Sequence, residues 1–503
     1  VKSSQATVQK GLPAIGGVMR ENTAHLVTIT FVLTIASVFL FINLSAIHGG
    51  HDWGGDFAQY ILHARNLISG QEYSSGIWYK GHLTYPPGYP LLIAPVEYLF
   101  GTDFWIMKAL NVFFWLLWAS MVALIISDYL GKIYGFIAIP CLLFSQFIFL
   151  FKQSVISDLS FTFFCTAAIY AYLKFADTKA PRLTNRMTYF VLFIFLATFS
   201  LLIRAAGATL FLAAFLHLFL MMRKPFFALL SLSAWGLAEF AQIWLGVRAA
   251  GYEGCFSLRY LPDGAAYSLQ QLLFLVFPPL SSAPSVIQIL IVLLILLVRL
   301  TAIGALWRPV QRTHVKFFDV FFCVYLIMLS LYGMRQGPRF LLPVFGIFLL
   351  YLFMAIENIC NLLNGSLARK TAIFLIASYV VATSGWQLRS TYNLRELNTD
   401  EIWKTETLDL VGWTKMNVHA QEHFAFFKPR VLALLTGRTG QYLPENPEQY
   451  FRDNLPHGMR WLILTSERDG WRSTGDYLKD IESNKHFNKV WENNKFQVFE
   501  FRP

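Results

Sequence analysis

The stretch "GGDFAQYILHARNLISG", residues 54–70, follows the first long apolar run of the chain, at about 24–47. Within it Phe57, Tyr60, Ile61, Ala64, Leu67 and Ile68 recur with helical spacing. That periodicity predicts an amphipathic helix on the outer surface of a membrane. One carboxylate, Asp56, stands at its start beside Gly54 and Gly55. Two readings of Asp56 follow. A short acid at the first turn of a helix is a good N-cap. A carboxylate held there, facing a cavity at the bilayer edge, is also placed to act as a general base.

Working outward, the 503 residues are 55% hydrophobic, 17% aromatic and 14% charged, with a mean hydropathy of +0.48. Several runs exceed the roughly 18 apolar residues that span a bilayer. Strand alternation of period two, the mark of a membrane β-barrel, is absent. The composition therefore predicts a polytopic α-helical membrane protein. Apolar runs fall at about 24–47, 104–128, 134–151, 158–175, 189–204, 207–222, 225–247, 284–305, 317–332, 340–358 and 371–389, which predicts about 11–13 transmembrane helices once broken pieces are admitted. The first run is too long for a signal-peptide core and reads as a first crossing. The piece "PPGYPLLIAPVEYLF", 86–100, is short and interrupted by prolines, and reads as a re-entrant or tilted helix or one more crossing.

Charge orients the chain. The segment 391–503 holds 15 Lys and Arg against 16 Asp and Glu, so the net +11 belongs to the first 390 residues, with their 26 basic and 14 acidic side chains. A basic surplus in a membrane protein marks cytoplasmic loops, not nucleic-acid binding. With a cytoplasmic N-terminus the inner loops collect Lys132, Lys174, Lys179, Arg182, Arg186, Arg223, Lys224, Arg299, Arg308, Arg312, Lys316, Arg369 and Lys370. The outer loops collect Asp52, Asp56, Glu72, Asp158, Glu253 and Asp263. The parity closes if 86–100 does not fully cross, or if a further half-helix compensates. The expected domains are a membrane part, 1–390, with an outer loop at 48–85, and an extracytoplasmic α/β domain, 391–503. In that tail "RVLALLTG", "RWLILTS" and "KFQVFEF" read as strands, and "ENPEQYFRDNL" and "TGDYLKDIES" as helices. The five cysteines form no CxxC pair and suggest neither a disulfide framework nor zinc.

Other pieces carry polar groups on the same outer side. "YKGHLTYPPGYP", 79–90, offers Lys80, His82 and Tyr85 ahead of a stiff Pro-Pro-Gly turn. "FKQSVISDLSFTFF", 151–164, places Lys152 and Asp158 between two spans, where Asp158 is either a helix cap or functional. "LLIRAAG" puts Arg204 in a turn between short spans, and "YGMRQGPRFLLPV" puts Arg335 and Arg339 beside another. An arginine at membrane depth is costly and needs a partner, unless it snorkels to the interface. A phosphate fits, because guanidinium binds it in a bidentate fashion. Acids and cations on one face suit a lipid-phosphate substrate.

Taken in order, "GDFAQYILHARNLISGQEY…YPPGYPLLIAPVEYLFG", "SVISDLSFTFF", "LLIRAAG", "GPRFLLPV" and "KPRVLALLTGR" resemble the landmarks of GT-C membrane glycosyltransferases, nearest the protein O-mannosyltransferase and aminoarabinose-transferase-like branch. The resemblance runs from about residue 24 to 503. It implies an inverting enzyme of the cell inner membrane that takes a sugar from a polyprenyl-phosphate donor on the extracytoplasmic side. It implies Asp56 as the catalytic base and Asp158 as a second acid. Lys80, Lys152, Arg204, Arg335 and Arg339 are the candidates for the donor phosphate, with Tyr60, His82 and Tyr85 lining the substrate pocket. The chain departs from the pattern in two places. Protein mannosyltransferases have Asp-Glu where this chain has Asp56-Phe57, and the aminoarabinose branch has Glu-Lys-Pro-Pro where this chain has Thr84-Tyr85-Pro86-Pro87.

No cofactor is expected and no metal-ligand cluster is visible in the sequence, while a divalent metal stays open. The rival readings are a transporter or flippase of a lipid-linked sugar and a noncatalytic scaffold. Transporters commonly show repeated halves, and the sequence has no internal repeat. The orientation is testable with topology reporters. One fused after Arg389 is expected to be extracytoplasmic and one within 176–187 cytoplasmic; a cytoplasmic tail would overturn the assignment.

Overall fold

In the computed structural model the described residues are 15–78, 85–145, 147–177, 183–244, 247, 255–276, 285–302, 315–335, 337–363, 365–396, 401–465 and 474–503. Lys80 and His82 lie outside them, as do Lys179, Arg182, Glu253, Arg308 and Arg312 of the loops.

The described helices of the membrane part are α1 (Ile15–Leu44), α2 (Gly55–Ser69), α3 (Gly88–Phe100), α4 (Phe104–Leu130), α5 (Lys132–Leu143), α6 (Asp158–Ala176), α7 (Leu183–Ile203), α8 (Ala208–Leu216), α9 (Pro225–Trp244), α10 (Leu261–Val276), α11 (Ser285–Ala302), α12 (Phe317–Leu331), α13 (Leu342–Leu362) and α14 (Ser366–Glu396). Among the described residues six stretches are long and apolar enough to cross a membrane: Phe104–Leu130, Asp158–Ala176, Arg186–Ile203, Pro225–Trp244, Gly337–Leu362 and Ser366–Ser390. Five shorter apolar helices accompany them. The chain is a multi-pass α-helical membrane protein.

Three expectations are corrected. Helix α2 is not a surface helix with one buried stripe. Phe57, Ala58, Gln59, Tyr60, Ile61, His63, Ala64 and Asn66 are all buried, because α2 is wedged between α3 and a helix of the tail. Helix α10 lies where no apolar run was counted. Its Pro262, Asp263 and Gly264 start and its polar Ser268, Gln270 and Gln271 hide the pattern, yet Leu272, Leu273 and Leu275 are buried. In the tail, "RVLALLTG" is helical.

The tail has η-type turn Glu401–Trp403, then α15 (Thr405–Asn417), β1 (His423–Ala425), α16 (Pro429–Thr436), β2 (Gly440–Gln441), α17 (Pro447–Asn454), β3 (Met459–Thr465), α18 (Thr474–Ser483), β4 (Phe487–Glu492) and β5 (Phe496–Phe501). Pro429 in the first turn of α16 and Gly437 in the left-handed conformation just past its end bracket that helix. The strand order is β2-β1-β3-β5-β4, with β1 parallel to β2 and β3, and β5 antiparallel to β3 and β4. Side chains alternate across β3. Leu462 and Leu464 join a small core with Phe451, Ile481 and Phe499, whereas Trp461 and Ile463 join the core that continues into the membrane part. The junction is aromatic: the Trp53 ring meets Phe426 and Phe427 at 5.6 Å each and Phe496 at 5.9 Å. The outer loop also extends the sheet edge, since Trp78 N donates to Gly440 O at 2.9 Å and Gly440 N to Gly76 O at 3.1 Å.

Helix α3 has 13 residues, including Pro95. At 1.5 Å per residue it rises about 20 Å, short of the roughly 30 Å hydrocarbon core. Its start is pressed against the end of α7. A Cβ on Gly88 would lie 2.6 Å from the Leu202 carbonyl carbon and 2.7 Å from Ile203 N. Because backbone cannot yield as a side chain does, Gly88→Ala is expected to lower stability by about 1–3 kcal/mol. Gly236→Ala, in open space within α9, is the control. Detergent thermal unfolding with no difference between the two would refute the close contact.

Candidate active site

Asp158 opens α6 and is only 3% exposed, but it caps nothing: neither it nor Ser157 makes a side-chain cap bond. Its carboxylate is held by two guanidiniums. Arg339 grips it in a fork, Nε to Oδ1 and Nη2 to Oδ2, both at 3.2 Å. Arg204 Nη1 lies 3.0 Å from Oδ1. Arg204 is delivered by the break between α7 and α8, where it is extended (φ −150°, ψ 138°). Arg339 sits in the short helical turn Gly337–Leu341, which Tyr325 of α12 secures by donating its hydroxyl to Phe340 O at 2.9 Å. The Phe340 ring lies 4.9 Å from the Arg204 guanidinium and 5.3 Å from that of Arg339. Two guanidiniums thus face this one acid. Nη1 of Arg339 makes no hydrogen bond among the described residues and remains free to donate.

Asp56 is joined to this cluster through two tyrosines. The start of α2 carries no side-chain cap bond either; instead Asp56 Oδ1 accepts the Tyr85 hydroxyl at 2.7 Å. The Tyr85 ring stacks on Tyr60 at 4.9 Å, and the Tyr60 hydroxyl meets Ser157 Oγ at 2.9 Å. Arg204 Nη1 reaches the same Ser157 oxygen at 3.3 Å. Asp56 and Tyr60, four residues apart on α2, share one helix face. Burial, and next the charge of Asp56, push the Tyr85 hydroxyl well above the usual phenol range, so it stays a donor.

Of the residues singled out in the sequence, the structure brings together Asp56, Tyr60, Tyr85, Asp158, Arg204 and Arg339. Lys152 stands apart: it is buried, its Nζ lies 3.1 Å from the Phe149 ring centre, and it has no hydrogen-bond partner among the described residues. Arg335 is in an exposed pair with Asp263 at 3.8 Å. The sequence reading missed His51, Lys108, Asn111 and His63. Lys108 and Asn111 stood out as polar residues inside an apolar run. Asn111 accepts the Tyr89 hydroxyl at 3.3 Å and donates to Ser154 O at 2.7 Å, so it ties α3 and α4 to the turn before Asp158. His63 is fully buried, with neither ring nitrogen bonded among the described residues; burial, then the Arg430 guanidinium of the tail, lower it to about 3 and keep it neutral.

This arrangement of a broken-helix membrane part and an α/β tail is similar in fold to solved structures. Two solved structures of ArnT from Cupriavidus metallidurans share it. The apo form superposes with a TM-score of 0.59 at 12% identity over 95% of this chain and 98% of that one. The form bound to undecaprenyl phosphate gives 0.58 at 12% identity over 94% and 97%. The archaeal oligosaccharyltransferase AglB from Archaeoglobus fulgidus, in complex with an inhibitory peptide and a dolichol-phosphate, gives 0.51 at 11% identity over 86% and 69%. Compared by sequence, the chain matches no family model and no curated protein.

The two acids have different surroundings, and stability separates them. Asp158→Asn leaves two partly buried guanidiniums against a neutral amide, and about 3 kcal/mol of destabilisation is expected. Asp56→Asn keeps an acceptor for Tyr85 and is expected to be nearly neutral. Thermal unfolding of both variants checks this; equal midpoints would contradict the ion cluster.

Proposed function

We propose that the protein is an inverting glycosyltransferase that moves a sugar from a polyprenyl-phosphate donor to a hydroxyl acceptor on the extracytoplasmic face of the cell inner membrane. The observation that carries this reading is the arginine pair on Asp158, one tyrosine stack away from Asp56. The likeness to ArnT bound to undecaprenyl phosphate supports the class of donor.

In this mechanism Asp56 takes the proton of the acceptor hydroxyl. The oxygen attacks the anomeric carbon from the side opposite the phosphate. The bond from that carbon to the phosphate oxygen breaks and the polyprenyl phosphate leaves, so the configuration inverts. Arg339 and Arg204 stabilise the leaving phosphate as its charge develops. Asp158 holds both guanidiniums in place and so prepares the site before the substrate arrives. The Tyr85 hydroxyl orients the Asp56 carboxylate through one oxygen and leaves the other free to accept a proton. Residues 1–390 form the catalytic membrane part, with the N-terminus cytoplasmic. Residues 391–503 form the outer domain that packs on α2, the helix carrying Asp56.

The test is Asp56→Asn, purified and shown to be folded. An amide of the same shape cannot take the proton, so transfer from polyprenyl-phosphate sugars is expected to fall by about 10²–10⁴-fold. Binding of undecaprenyl phosphate, used as the probe of the donor site, is expected to be retained. Transfer near the wild-type rate would overturn the assignment of Asp56 as base. Wild-type protein that moves labelled donor across vesicles without forming a glycosidic bond would favour a flippase.

A further inference from the structure

The segment just before α2 is bonded to α4, to the turn ahead of α6 and to the tail. Lys108 of α4, itself buried, donates its ammonium to His48 O at 2.9 Å and also to Gly50 O. From the tail, Ile402 N donates to His51 O and Trp403 Nε1 to Gly49 O, both at 3.2 Å. Gln153 joins the other side, its Oε1 accepting from His48 N at 3.2 Å and its Nε2 donating to Ala46 O.

His51 is at the centre of this arrangement and is only 5% exposed. Its Nδ1 lies 2.8 Å from Asp52 Oδ1, and that same oxygen accepts Gly54 N, at the threshold of α2, at 2.9 Å. The ring stacks on Phe57, the neighbour of Asp56, at 3.8 Å. Its Nε2 faces the backbone N–H of Val155 at 3.2 Å, three residues before Asp158. An amide N–H only donates, so Nε2 must carry the lone pair and Nδ1 the proton given to Asp52. One imidazole thus binds the Asp56 segment through one nitrogen and the Asp158 segment through the other.

We propose that His51 is a positioning residue that fixes the Asp56 segment against the Asp158 segment, acting through Asp52 on one side and Val155 on the other. The proposal rests on the glycosyltransferase reading for its consequence, because the proton acceptor and the phosphate-holding arginines must present to one substrate. Misplacement by about 1 Å can cost on the order of 10²-fold in rate. Neither Asp56 nor Asp158 touches His51 directly, so the effect is on placement.

Two variants test it. In His51→Gln the side-chain oxygen reaches the place of Nε2 and accepts from Val155. In His51→Asn the shorter side chain still bonds Asp52 but falls short of Val155. Amide hydrogen exchange over 153–158, undecaprenyl phosphate affinity and steady-state transfer are measured for the full-length chain. The Asn variant is expected to exchange faster over 153–158 and to lose about tenfold or more in kcat, with KM for the donor and probe affinity within about threefold of wild type. The Gln variant, which keeps the Val155 bond and gives up that to Asp52, is expected to show wild-type protection over 153–158 and a smaller loss in kcat than the Asn variant. Wild-type exchange in the Asn variant, or a Gln variant as impaired as Asn, would overturn the proposal. Parallel loss of probe affinity, kcat and melting temperature would reduce His51 to a packing residue and overturn it as well. If the wild-type chain transfers no sugar, the glycosyltransferase reading fails by itself, and the exchange arm still decides whether His51 holds the segment.

Discussion

The carboxylate of Asp158 between two guanidiniums is the constraint on which the arrangement depends. Moving an ion out of water costs several kcal/mol, and only close partners with good hydrogen-bond geometry offset it. Asp158 has both: a fork from Arg339 and a single bond from Arg204. The three residues come from the start of α6, the break between α7 and α8, and the turn ahead of α13. None of these breaks would be tolerated in hydrocarbon unless its polar groups were bonded within the protein. Asn111, donating to Ser154 O, and Tyr325, donating to Phe340 O, supply such bonds beside the ion cluster.

A layer of tyrosines separates the two carboxylates. Tyr85 serves Asp56 and Tyr60 serves Ser157, and their rings stack on each other. Where the resembling aminoarabinose branch has a lysine, this chain has Tyr85. A phenol that stays protonated brings a hydrogen bond and no charge. In the mechanism proposed, the cationic work at this site therefore falls to Arg204 and Arg339.

The tail is part of the same construction. Its sheet has one face turned to α17 and α18 and the other merged with the membrane core. Trp53 binds that second face, and Arg65 of α2 donates to Leu434 O of α16 at 3.1 Å. Helix α2, which carries Asp56, is thereby held between α3 and the tail instead of floating at the interface. The likeness to ArnT and AglB is a likeness of fold; the chemistry assigned to this chain stands on its own side chains.

Composition and hydropathy by themselves determined the class. A chain this apolar, with cations gathered in alternate loops, has to be a helical bundle in a membrane, because only helices satisfy their backbone there. The helix at 55–69, the turn at Arg204 and the strands at Met459–Thr465 and Phe496–Phe501 were also legible, since each rests on local periodicity or a local break. The misread pieces are those where local signals conflict. "RVLALLTG" has a strand-like composition, but Pro429 and Gly437 bracket a helix. Asp56 and Asp158 both look like caps in the sequence, yet neither caps its helix. What only the tertiary structure decided is the pairing: Asp158 with arginines 46 and 181 residues away, Tyr85 with Asp56 across 29, and His51 with Val155 across 104. Local pattern fixes which residues are helical and which face is apolar. It carries no information about which distant side chain will supply the charge or hydrogen bond that a buried polar group requires.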